Sequence, residues 1–214
     1  PPRPDLTIVQ TQVFRGPNYW SYEPCIRMLV DLGSLEEWPS NTIPGFTAKL
    51  LELLPGVGEH SCSLGKRGGF RERLEDGTWL GHVAEHVALE LQCLAGTAVT
   101  YGKTRGAGRE GVYHIIYSFY QEQVGLSAGE IALRYLRSLL PPGHPDHRGS
   151  FDLQHEIDEL ARLVNEVALG PSTRSLVEDF TPTAEEQSLY DRVSEYLRRD
   201  DIQAVPQGRR ALLL

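Results

Sequence analysis

His82, Glu85 and His86 stand in the order His-x-x-Glu-His within Gly81–Glu90. On an α-helix, imidazoles four residues apart share a face and can hold one metal ion between them. The order is the inverse of the helix motif of zinc proteases. Glu85, beside both rings, can take a proton from a water held there and act as general base on an amide bond. Metal-assisted hydrolysis, with zinc as the ion, is therefore the predicted chemistry. Paired groove histidines without a metal have the same spacing, and the motif alone leaves that alternative open.

A third ligand is harder to place. Glu90 lies two turns beyond His82, about 12 Å along the axis at ~1.5 Å per residue. It is either a ligand with a long reach or a hydrogen-bond partner that orients His86. A carboxylate from another helix is the other solution, and the segment Phe151–Leu169 offers Glu156 and Glu159. The candidate metal set is thus His82, His86, Glu90 and Glu159.

The motif sits on a predicted helix, Trp79–Leu94, with Thr78 as N-cap and Gly96 closing it. Leu80, Val83, Val87, Leu91 and Leu94 make a core stripe at three- and four-residue steps, with the histidines on a neighbouring stripe. Upstream, Leu6–Phe14 and Cys25–Leu32 read as strands and Phe46–Leu54 as a helix ended by Pro55. Residues 55–78 read as a solvated loop rich in Gly and charge. Downstream, Ala98–Tyr101 reads as a short strand and Gly102–Arg109 as a Gly/basic loop. Gly111–Tyr120 is the strongest strand, with Val112, His114, Ile116 and Ser118 on one face. A helix over Leu126–Leu140 and a linker over Pro141–Ser150 follow. Beyond Phe151–Leu169 come an acidic helix, Ala184–Arg198, and the apolar end Ala211–Leu214. The expected fold is α+β, a short antiparallel sheet packed with helices and a helical C-terminal tail, divided into residues 1–145 and 146–214.

The chain has 29 acids against 21 bases, a net charge of −8, and this balance argues against nucleic acid as a partner. Two local basic stretches qualify it. Arg67 and Arg71 in the first, and Lys103 and Arg105 in the second, are candidate contacts to an anionic substrate. Neither stretch forms a phosphate loop, so no nucleotide site is expected. Three cysteines without framework spacing suit reduced thiols in the cytoplasm. No apolar run is long enough to span a membrane.

Arg15-Gly16-Pro17-Asn18, Glu59-His60-Ser61-Cys62-Ser63, Arg67-Gly68-Gly69-Phe70, Gly77–His86 with Glu90-Leu91-Gln92, and Tyr101–Arg105 follow one another in the chain. In this order they resemble the N-terminal domain of cyanophycin synthetase over roughly residues 6–172. The resemblance implies a partner polymer, cyanophycin, in which arginine is joined to the β-carboxyls of polyaspartate. It also implies ATP-grasp and Mur-ligase-like domains in the same or a partner chain, and assembly as a homo-oligomer. Two roles follow for this segment. It cuts the polymer at a metallopeptidase-like site to make primers, or it binds polymer without catalysis for an ATP-dependent ligase.

Overall fold

Four strands pair antiparallel in the order β1-β2-β4-β3. They are β1 (Thr7–Phe14), β2 (Cys25–Asp31), β3 (Gly102–Gly106) and β4 (Val112–Ser118). A computed structural model of the chain describes residues 5–169. The expected helix at Ala184–Arg198 and the apolar end Ala211–Leu214 lie outside that range. Among the described residues the helices are α1 (Phe46–Leu53), α2 (Gly69–Asp76), α3 (Leu80–Leu94), α4 (Glu122–Ser138) and α5 (Leu153–Leu169). The class is α+β, as the sequence predicts.

Strand alternation divides the sheet into two faces. Ile26, Met28 and Val30 of β2 lie opposite Tyr117, Ile115 and Tyr113 of β4. All but the partly buried Tyr113 are within 1% of full burial, and they form the floor on which α3 and α4 rest. Helix α4 comes close because Gly125 and Gly129, one turn apart, face that floor. A Cβ at Gly125 would lie 2.7 Å from Phe119 Cβ and 2.8 Å from Ile26 Cδ1.

Helix α3 is central because its apolar stripe is complete: Leu80, Val83, Val87 and Leu91 are all fully buried. Burial extends well beyond the stripe, since Ala84, Glu85, His86, Ala88 and Gln92 are buried too. The sequence pattern placed the histidines off the core and Leu94 in it. Instead His86 is 5% exposed and Leu94 47%. The reason is that α3 is covered on two sides, by the sheet and α4 and by the α1–α2 region, which a two-face reading of periodicity does not anticipate.

Several local expectations are corrected. Residues 55–78 are not a loop throughout: short 3-10 turns lead into α2, whose Phe70 and Leu74 are fully buried. The Gly/basic stretch after residue 101 is β3, while Ala98–Tyr101 is irregular. The N-cap position of α3 is held by Trp79. The helix expected from Leu126 begins at Glu122, after Gln121. The Pro-rich stretch 141–150 packs rather than dangles. Asp146 accepts the backbone N–H of Asp5 at 2.9 Å, and Asp5 in turn takes both the N–H and the hydroxyl of Ser34. Leu153 and Leu160 of α5 join the core, and the packed unit extends to Val167.

Candidate metal centre and cavity

The segment between α1 and α2 crosses above α3 and brings two residues onto the histidine pair. Cys62 Sγ lies 3.4 Å from His82 Nε2, and His60 Nδ1 lies 2.8 Å from His86 Nδ1. Ligand atoms of Cys62, His82 and His86 all lie within 4.8 Å of one another. Cys62 holds a left-handed backbone, φ 50°. A non-glycine residue there costs about 1 kcal/mol or more. The conformation is imposed by its neighbours: His60 N–H donates to Val57 O, His60 O accepts Phe70 N–H, and Cys62 O accepts Gly65 N–H. Local strain thus turns the thiol toward the rings.

Each ring is fixed from a second direction. His82 Nδ1 is 2.9 Å from Thr78 Oγ1. Thr78 is itself held by Ser40, which accepts its N–H at 3.0 Å and donates to Leu74 O. His60 Nε2 is 3.0 Å from Glu90 Oε2. Phe70 stacks on His86 with centroids 3.7 Å apart, and meets His82 edge-on at 5.2 Å. Burial lowers the proton affinity of both motif histidines, that of His82 to about 4 with Arg73 adding to the effect. Both are therefore neutral at pH 7, the form in which imidazole binds metal.

Glu85 points away from the pair toward β3. Thr104 donates to its Oε2 at 2.5 Å, and Gly102 lies against its other oxygen. Burial raises its pKa to about 7, against the lowering effect of the Thr104 bond. This places a proton-exchanging carboxyl near neutrality, as general acid–base work requires. Glu85, His82, His86, His60 and Cys62 all line one open cavity of about 960 Å³.

The predicted site residues separate accordingly. His82, Glu85 and His86 meet in the cavity. Glu90 does not stand in the thiol–imidazole cluster; it reaches His60 and acts on the cluster through that ring. Glu159 is corrected outright: it lies on α5, half exposed and bonded to Arg162 at 2.7 Å, away from the cavity. Its alternative, Glu156, is taken by Arg134. Of the basic residues, Lys103 and Arg105 border the cavity. Their pairing opposite Ile116 and His114 puts them on the sheet face opposite Thr104. Arg67 is directed outward, 82% exposed and paired with Glu59, and Arg71 is spread over Gly58. Residues missed were His60, Cys62, Thr104 and Arg73. The stretch Glu59–Ser63 carries a His-x-Cys pattern, which was the one available signal for a second arm of the cluster.

The donor set tests whether zinc suits the site. One thiol and two neutral imidazoles in mutual reach, with Thr78 behind one ring and the Glu90–His60 pair behind the other, are ligands and supports of the kind zinc uses. The residues fit that ion.

Residues 27–141 match the family described as the cyanophycin synthase-like N-terminal domain. Cyanophycin synthetases are similar over four-fifths of the chain: 42% identical over 176 residues in Geminocystis herdmanii, 44% over 174 in Synechocystis sp., and 43% over 174 in Crocosphaera subtropica. The chain spans about 20% of the length of each of these relatives. These matches place the chain in the cyanophycin synthase-like N-terminal domain family.

Proposed function

We propose that this chain holds cyanophycin and hydrolyses amide bonds in it, creating chain ends that serve as primers. The observation that carries the reading is the convergence of Cys62, His82 and His86 on one cavity with the buried carboxyl of Glu85. Cys62, His82 and His86 would hold a zinc ion. Bound there, the ion would polarise the scissile carbonyl. Thr104 and Gly102 fix the Glu85 carboxyl at its two oxygens, and this group would take a proton from water and return it to the leaving nitrogen.

The test combines metal analysis with cleavage of purified polymer. About one zinc per chain is expected, and Glu85→Gln should lose about 10²–10⁴-fold in cleavage rate while keeping polymer affinity. Absence of zinc together with unchanged cleavage by the variant sinks the hydrolase reading.

A second reading is a non-catalytic polymer-binding module that serves ATP-grasp and Mur-ligase-like domains in the same or a partner chain. It is favoured by the similarity to synthetases of which the chain spans about a fifth. Polymer binding with neither cleavage nor metal is its signature.

A further inference from the structure

Arg73 lies on α2 at the cavity wall, beside the cluster. One Nη donates to Ser63 Oγ at 3.0 Å. Its Nε is buried and has no partner, and no carboxylate pairs with Arg73 among the described residues. The contrast with its neighbours is informative. Lys66 is paired with Glu72 and Arg67 with Glu59, so two other bases of the same stretch each have a carboxylate partner. Behind Arg73 stand neutral rings, and the nearest effect of its charge is to oppose protonation of His82. A half-buried guanidinium with a free Nε is an incomplete fork, and the ligand that completes such a fork best is a carboxylate taken by two parallel N–H bonds.

We propose that Arg73 is the specificity residue of the cavity and binds a free carboxylate of the substrate next to the bond to be cut. This rests on the polymer reading above, and deepens it. In polyaspartate whose β-carboxyls are amidated by arginine, the backbone has no free side-chain carboxylates. Those available along the chain belong to the arginyl branches. Arg73 therefore reads the branch, and chains whose branch carboxylates are amidated are the substrates it rejects. Lys103 and Arg105 border the same cavity from β3.

The experiment compares two synthetic aspartate–arginine oligomers, one with free branch carboxylates and one with branch carboxamides. Affinity is measured in a Glu85→Gln background, so that nothing is cut. Arg73→Gln should weaken the carboxylate oligomer by at least tenfold and leave the carboxamide oligomer, already weak, unchanged. Arg73→Lys should restore part of the affinity. Equal loss for both oligomers, or no loss for either, overturns the proposal. A second arm follows the Arg73 Nε–H resonance, assigned by its disappearance in Arg73→Lys. Succinamate should shift it saturably and succinamide should not. If succinamate shifts it but neither oligomer binds, the carboxylate site stands and the polymer reading falls. If succinamate leaves it unmoved, the carboxylate site itself is refuted, whatever the oligomers do.

Discussion

Glu90 Oε2 lies 3.0 Å from His60 Nε2, and His60 Nδ1 lies 2.8 Å from His86 Nδ1. A carboxylate one helical turn beyond His86 therefore acts on it through a ring from another segment. Each contact needs one hydrogen between its two atoms. With the hydrogen of the Glu90 contact on His60 Nε2, a His60 ring with a single N–H accepts at Nδ1. His86, kept neutral by burial, then donates from Nδ1, which leaves its Nε2 as a lone-pair nitrogen able to bind metal. Replacing Glu90 by Gln introduces a donor and releases this order. The expected outcome is a zinc affinity about 10–100-fold weaker, by competition against a chromophoric chelator, with the fold retained. Unchanged affinity means the relay does not orient His86.

How much of this was legible depends on sequence distance. Strands β1, β2 and β4 and helices α1 and α3 follow from short-range periodicity, and each falls within two residues of its expected limits at both ends. The His82–Glu85–His86 trio was legible because it lies on one helix. His60 and Cys62 were not, because they meet the trio only through tertiary folding across twenty or more residues. The left-handed Cys62 breaks no periodicity that a sequence reading would detect. Glu159 failed for the complementary reason: an acid on an amphipathic helix looks like a ligand until its neighbour, Arg162, is seen to hold it. Strand β3 was hidden by Gly102 and Gly106, which have low strand propensity but are needed, at Gly102, by the side chain packed on them.

That packing yields a sharp contrast between two glycines of one strand. A Cβ at Gly102 would overlap Glu85 Oε1 and sit 2.9 Å from its Cδ, whereas at Gly106 it would meet nothing within 4 Å. Gly102→Ala should displace Glu85, abolish cleavage and lower stability by about 1–3 kcal/mol. Gly106→Ala should stay within about 0.5 kcal/mol of the parent. Thermal melts and polymer cleavage of the pair decide it. Equal behaviour of the two variants refutes the assigned role of Gly102.

Between α4 and the sheet, Tyr117 donates to Gly125 O at 3.1 Å, and its hydroxyl occupies the space where a Cβ on Gly129 would stand. Such a Cβ would also lie 2.9 Å from Met28 Sδ. Gly129→Ala alone should destabilise by about 1–3 kcal/mol through overpacking. Tyr117→Phe alone should cost about 1 kcal/mol for the lost hydrogen bond. Combined, they should cost less than the sum, because removing the hydroxyl makes room for the methyl. Urea titration of the four proteins measures the coupling, and strict additivity excludes this contact as the cause.

On the opposite face of the sheet, His114 supplies a pH dependence separable from the cavity. Its proton affinity is lowered, chiefly by burial and then by Arg27 on β2. Arg105 of β3 is its cross-strand partner, and the Trp20 ring lies 5.3 Å away. The cations and the ring leave its Nδ1 buried without a hydrogen bond. The folded state thus binds the His114 proton less readily than the unfolded chain, whose histidines titrate near 6.5. Above that pH neither state is protonated and the group has no effect. As pH falls below it the unfolded chain gains the proton first, so stability declines until the folded state also titrates. His114→Gln removes this contribution and leaves those of His82 and His86 in place. The difference in Tm between variant and parent should therefore shift in the variant's favour from pH 7.5 to pH 5. A difference constant across that interval would show that His114 is equally protonated in both states.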